Sequence, residues 1–298
     1  MLRTTLAALL VLASTSHAQP AFEKKGTAED VKDVKEVVWT AKGDAGLVAS
    51  TGNSRTTTIT AGANAIRKDK DNKVELTITG AYARATTRTA GDANGDGAIQ
   101  ESELDTATAT SAENASAKLR ADRYLTPLDA LYLAALAGID RPAGKDFQGG
   151  FQAGYSRGLY KDKYSEVLGE VGYDLTHMRL TSGDTSTIHS GRAFVGYKGQ
   201  IKKETAVEAS LEALINGNTI TYGMREAKLA EATRLIGIVG VTTALSTKIS
   251  LTASFTAKYD NFPAPLAKIG ALPFAPGFEP TSEKLDTLTK ISLIVKFL

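Results

Sequence analysis

The sequence predicts an all-β chain, an up-and-down antiparallel transmembrane β-barrel of about twelve strands. Three observations carry that expectation. Side chains alternate between apolar and polar at period two along most of the chain. Tight and long connections between these segments alternate too. The single tryptophan and several tyrosines fall on the apolar face near segment ends.

Residues 1–18, MLRTTLAALLVLASTSHA, carry an early positive charge at Arg3, an apolar run from Leu6 to Ala13 and small residues before Ala18. They read as a secretory signal peptide cleaved between Ala18 and Gln19. The run is far shorter than the roughly 20 apolar residues of an anchoring helix. Residues 19–37 include the charged stretch EKKGTAEDVKDVKEVV, expected as a periplasmic segment with a short helix. The barrel is expected over residues 38–298.

Within it, KISLTASFTAKYD places Ile249, Leu251, Ala253, Phe255, Ala257 and Tyr259 on one face, against Lys248, Ser250, Thr252, Ser254, Thr256 and Lys258. KVELTITGAY opposes Val74, Leu76, Ile78 and Tyr82 to Glu75, Thr77 and Thr79. ETAVEASLEALI opposes Val207, Ala209, Leu211, Ala213 and Ile215 to Glu204, Glu208, Ser210 and Glu212. Strands are expected to start near residues 38, 54, 73, 106, 129, 146, 163, 187, 204, 227, 248 and 284. The even-numbered connections are tight and polar: DKDN, TPLD, KDK, KKE and STK. Apart from TGNS, where Gly52-Asn53 suits a tight turn, the odd-numbered ones are longer. They are GDANGDGAIQESELD, RPAGKD, TSGDTST, NGNTITYGMRE and the proline-rich stretch over 261–283. A transmembrane barrel has this segregation, with short periplasmic turns and longer extracellular loops. A soluble sandwich has no reason for it.

Alternation does not by itself say which face meets solvent. A soluble barrel would pack Val, Leu and Phe inward. Lipid outside is favoured by segments of roughly twelve to sixteen residues, beyond the 9–11 needed to span. It is favoured by Tyr82, Tyr173 and Tyr259 late in rising strands and Trp39 early in the first, as interfacial girdles require. The last segment, LTKISLIVKFL, alternates to the chain end, with Ile291, Leu293, Val295 and Phe297 on one face.

Composition narrows the classes. There is no cysteine, which excludes disulfides, thiolate metal sites and cysteine-linked lipid. A net charge of +2 from 35 bases and 33 acids lacks the one-sided basic clustering of a nucleic-acid binder, so no nucleic-acid partner is expected. After the N-terminus no apolar run reaches the length of a membrane helix.

WTAKGDAGLVASTGNSRTTTITAGANA at 39–65 resembles the opening of the salt-induced outer-membrane protein family of Gram-negative bacteria. The similarity continues in KLRADRYL at 118–125, YDNFPAP at 259–265 and the closing KLDTLTKISLIVKF. The resemblance implies an outer-membrane barrel and no settled activity. The chain departs from the family pattern by ending in Leu298 after the terminal phenylalanine.

GDANGDGAIQESE at 91–103 has the spacing of an EF-hand loop. Asp92, Asn94 and Asp96 would supply side-chain oxygens and Ala98 a carbonyl. Gln100 would act directly or through water, Glu103 would be bidentate, and Gly97 permits the sharp turn. Strand patterns, not amphipathic helices, flank it. A solvated acidic loop is the bland alternative. Calcium is therefore expected in an extracellular connection, with affinity on the order of 10⁻⁴–10⁻³ M, as a clamp and not a sensor.

The face opposite the apolar one carries Lys42, Asp44, Glu75, Lys118, Arg120, Asp122, Glu166, Glu170, Asp174, Arg192, Lys198, Glu208, Glu212, Lys258 and Lys290. They would line a polar conduit or fill a narrow barrel as paired charges. An outer-membrane lipid-modifying enzyme is a competing class. Such a lipase would want a serine two residues after its histidine on the same face. Gly191 follows His189 in that place, while Ser190 points inward, and His177 stands on the apolar face too. The main expectation is thus a monomeric, non-enzymatic outer-membrane barrel in contact with lipid, a narrow channel or envelope component. A soluble secreted calcium-binding β-protein is the remaining alternative.

If the loop binds calcium, millimolar calcium will protect residues 91–105 of refolded protein from limited proteolysis while barrel stability stays unchanged. Glu103→Gln will weaken the protection most, and Glu101→Gln will barely alter it. Identical cleavage with calcium and with chelator removes the site.

Overall fold

The computed structural model describes residues 36–50, 54–90, 104–141, 143–265, 281 and 284–296. The signal-peptide reading, most of the 19–37 segment and the loop at 92–103 lie outside these residues.

Twelve strands close into one antiparallel barrel: β1 (Val38–Ser50), β2 (Ser54–Asp69), β3 (Asn72–Ala90), β4 (Leu104–Tyr124), β5 (Asp129–Asp140), β6 (Lys145–Lys161), β7 (Ser165–Leu180), β8 (Thr185–Lys202), β9 (Thr205–Asn216), β12 (Arg234–Ala244), β13 (Ile249–Asp260) and β14 (Leu285–Lys296). Each pairs with its neighbour in the chain, and β14 returns to β1 through Lys42↔Lys296 to Ala45↔Leu293. Eleven of the starts fall within a few residues of the expected ones. The tenth differs. Residues 225–227 form β11 (Arg225–Ala227), which pairs with β10 (Ile220–Tyr222) as a small hairpin inside the connection. The alternation there runs on through LAEATRL, but Ala230 adopts a positive φ of 64°. That left-handed residue breaks the extended chain, so the barrel strand starts only at Arg234.

The tight turns are built from the side chains that favour them. Thr126 Oγ1 accepts the backbone N–H groups of Leu128 and Asp129, and Ser246 Oγ accepts those of Lys248 and Ile249. In the β6–β7 turn Asp162 accepts the Tyr160 hydroxyl at 2.8 Å and the Tyr164 N–H at 2.7 Å. The hydroxyl, then the backbone N–H groups, hold this carboxyl below the ordinary aspartate range.

The faces decide the environment. In β3, Leu76, Ile78 and Tyr82 are 39%, 47% and 42% exposed, while Lys73, Glu75 and Thr77 are 1%, 4% and 7%. A soluble barrel would show the reverse. Tyr82, Tyr173 and Tyr259 are exposed toward the long-connection end, and Trp39, Tyr160, Tyr164 and Tyr197 toward the tight-turn end. These are the two aromatic girdles of a transmembrane barrel. Between them stand Ile59, Leu133, Phe151, Val171, Leu211, Val239, Phe255 and Ile291, all exposed.

Leu251, the third residue of β13, and Phe255, mid-strand, stand on the outer face, and Thr252 faces inward with Oγ1 2.9 Å from that of Thr242. Phe255→Arg will cost about 2–4 kcal/mol near the bilayer midplane. Thr252→Arg will be tolerated. A folding titration in lipid vesicles that tolerates both equally would invert the faces.

Candidate functional site

The interior is organised by one register row that runs round the wall: Lys73, Asp122, Tyr132, Gly154, Gly172, Arg192, Leu214, Arg234 and Asp260 on successive strands. Tyr132 lies along this row. Its hydroxyl crosses Gly154 and Gly172 to accept a hydrogen bond from Arg192 Nη1 at 2.7 Å. A Cβ at Gly154 would stand 2.7 Å from that hydroxyl, and one at Gly172 2.5 Å. The two glycines are what lets the tyrosine reach across two strands.

Around Tyr132 a network of charges closes the lumen toward the tight-turn end. Arg120 donates to Asp122, on its own strand, at 2.8–3.1 Å, and its Nη2 reaches Glu170 Oε1 across the lumen at 3.0 Å. Arg192 donates to Glu170 Oε2 at 2.8 Å and, through Nε, to Glu212. The Arg120 guanidinium lies 4.1 Å above the Tyr132 ring, and Arg192 lies 5.4 Å from the Phe194 ring. Beside these, Lys73 pairs with Glu75, and Asn64 donates to Glu75 at 2.9 Å and to Thr77 at 3.1 Å. Lys290 pairs with Asp44 near the closing seam. Apart from the half-buried Lys290–Asp44 pair, these charges are removed from water, so each needs its partner in place.

Further along the strands the packing opens. A cavity of about 100 Å³ is bounded by Ser116, Lys118, Gln152, Asp174, Thr176, Glu212, Leu214, Arg234 and Lys258, among others. Gln152 accepts from Lys118 at 3.4 Å and donates to Asp174 at 2.9 Å, and Thr176 donates to Asp174 at 2.7 Å.

An apolar cap lies at the long-connection end, at the β7–β8 mouth. Met178, Leu180 and Ile188, facing inward at the β7–β8 mouth, pack with Ile220, Tyr222 and Ala227 of the hairpin and with Ala232, Phe262 and Ala264. Tyr222 and Phe262 stack with centroids 5.0 Å apart. Arg225 lies 4.4 Å over the Phe262 ring and donates to the Pro263 carbonyl at 2.9 Å. Asn216, fully buried, ties the inserted connection down. Its amide donates to the Asn218 and Lys228 carbonyls and accepts the Ala232 N–H. Burial raises the Tyr222 phenol above its ordinary range, so it stays neutral in the cap.

Of the expected lumen residues, Glu75, Lys118, Arg120, Asp122, Glu170, Asp174 and Arg192 are buried inside, and Lys42, Asp44, Glu166, Glu212, Lys258 and Lys290 are half-buried. Lys198 and Glu208, register partners near the tight-turn mouth, are exposed. Asp92, Asn94, Asp96, Ala98, Gln100 and Glu103 fall outside the described residues. His177 and His189 are exposed on the outer wall, bonded to Thr187 and Tyr173. Ser190 is buried in the lumen, so hydroxyl and imidazole stand on opposite faces of β8.

Sequence reasoning missed Lys73, Asn64, Tyr132, Gln152 and Arg234. Strand parity could have found Lys73, two residues before Glu75. It could not find Tyr132, because ALYLAALAGI reads apolar on both faces.

Glu170 binds two buried guanidiniums, so Glu170→Ala will cost about 3–5 kcal/mol in a urea refolding titration. Glu208→Ala, at the open end, will stay within about 0.5 kcal/mol. Equal losses would mean the network contributes nothing specific.

No curated protein matches the sequence. Among solved structures, the translocator domain of the autotransporter NalP from Neisseria meningitidis is similar at 11% identity and TM-score 0.43, covering 91% of this chain and 92% of that one. The NanC porin is similar at 9% identity and TM-score 0.44, covering 87% and 100%. An anion-selective porin from Comamonas acidovorans is similar at 9% identity and TM-score 0.37, covering 88% and 99%. A family model described as "Protein of unknown function, DUF481" matches residues 43–297, from the first barrel strand to the last, and the chain belongs to that family.

Proposed function

We propose that this chain is a monomeric outer-membrane barrel that works as a narrow, capped channel for small solutes and has no enzymatic activity. The observation that carries this reading is the polar cavity between the charged network and the apolar cap. A purely structural barrel gains nothing from a roomy charged chamber in its wall-to-wall packing. A porin with a permanently open lumen would not seal its mouth with a stacked Tyr222–Phe262 pair. The cap is held by apolar burial and a few hydrogen bonds, so it can part while the strands stay closed. The outward-only histidines speak against a lipid-modifying enzyme, since no described serine shares their face at bonding distance.

The spacing of Asp92, Asn94, Asp96, Ala98, Gln100 and Glu103 supports a further part of this proposal, a calcium clamp in the connection between β3 and β4. Calcium there would order an acidic loop beside the mouth without acting on the wall.

In planar bilayers the native protein will show small, infrequent conductance steps. Phe262→Ala removes about 1.5–3 kcal/mol of burial from the cap, which raises the open fraction by roughly ten- to a hundredfold. Silence from both proteins, once folded, would leave the structural-component reading in place of the channel.

A further inference from the structure

Three arginines are deeply buried among the described residues: Arg120, Arg192 and Arg234. The first two are locked to carboxylates. Arg234, inward-facing on β12 and 5% exposed, is different. Among the described residues none of its three guanidinium nitrogens has a hydrogen-bond partner. Its ion pair is the loose one with Asp174, whose Oδ2 stands 3.6 Å from Nη2. That carboxylate already accepts from Gln152 and Thr176. A buried guanidinium held by one loose ion pair and no hydrogen bond is costly, and native proteins satisfy such donors with a ligand, an ion or ordered water.

The guanidinium borders the cavity. One water needs roughly 10–15 Å³ of such space, so about 100 Å³ holds several waters or one small organic molecule. Arginine presents a planar fork that matches a carboxylate with two parallel hydrogen bonds. Counting Arg234, the cavity wall carries balanced charge: Lys118, Lys145, Arg234 and Lys258 against Asp140, Asp174, Glu212 and Asp260. A multiply charged anion would meet those four carboxylates. A single carboxylate on a short apolar tail would satisfy Arg234 and lay its tail against Leu214 and Ile236, two buried apolar residues of the same wall.

We infer that Arg234 anchors a binding site for a small monocarboxylate in the lumen. Pro263 and Ala264 of the capped connection form part of the cavity wall, so the ligand enters from the long-connection end when the cap parts. The site concerns binding alone and stands whether or not the barrel conducts.

The test is calorimetric titration of the full refolded protein in detergent with butyrate, inorganic phosphate and, as a cation control, butylammonium. Native protein will bind butyrate, will bind phosphate more weakly and will ignore butylammonium. Arg234→Lys keeps the charge and loses the fork, and will weaken butyrate by about ten- to a hundredfold. Arg234→Met will abolish the response. Arg234→Met leaves the buried Asp174 without its cation and will lose stability, so Arg234→Lys, which keeps that charge and the fold, separates loss of the site from loss of the fold. Butyrate binding that survives in Arg234→Met overturns the assignment. So does preference for phosphate, or a native protein that binds neither anion. Bilayer conductance is read separately, and a silent barrel that binds butyrate through Arg234 upholds the site while refuting the channel.

Discussion

Backbone polar groups that face hydrocarbon must be bonded within the protein, and this requirement shapes everything else in the molecule. A strand edge in lipid would strand its N–H and C=O groups, so the sheet has to close, and β14 pairs back onto β1. Closure with strands alternating in and out then fixes the side-chain chemistry. Between the aromatic girdles the outward parity is mostly apolar, and the inward parity inherits the polar residues. Lys73, Glu75 and Thr77 face inward for the same reason that Leu76 and Ile78 face outward.

The polar residues thus confined present a second problem. Charges buried inside the barrel need partners, and Arg120, Glu170, Arg192 and Glu212 bond in a continuous chain. At the mouth the inward parity changes character. Met178, Leu180 and Ile188 occupy positions that lower in the same strands hold Asp174, Ser190 and Arg192. The hairpin β10–β11 and Phe262 supply the matching apolar surface. The molecule therefore contains a membrane-type wall outside and a small, conventional apolar core inside its mouth.

Much of the wall was legible from the sequence, because period-two alternation and turn chemistry are local signals. KVELTITGAY and KISLTASFTAKYD declare both faces within a dozen residues, and DKDN or KDK mark the reversals directly. The cap was not legible. NGNTITYGMRE has polar composition and reads as an exposed loop, and only tertiary packing against β8 buries Ile220 and Tyr222. The cavity was hidden for a related reason. Parity assigns Asp174 and Arg234 to the lumen, but whether a guanidinium finds a carboxylate depends on which strands face each other across the interior. Tyr132 shows the same limit. Its reach to Arg192 depends on Gly154 and Gly172 lying between them in register, which no window of sequence displays.

The bond from Arg120 to Glu170 joins β4 to β7 and skips the two strands between them. Hydrogen bonds between adjacent strands fix the circumference of a barrel but do little to keep its cross-section round. A chord through the interior does. Lateral pressure from the bilayer would flatten an unbraced cylinder of twelve strands, whereas this one carries an internal tie of two charged side chains, anchored at further points by Arg192 and Glu212. The wall on that side behaves as a stiffened arch. Shape change is left mainly to the side bounded by β12, β13, β14 and β1, where the described ties are the looser Arg234–Asp174 pair, at 3.6 Å, and Lys290–Asp44 between adjacent strands.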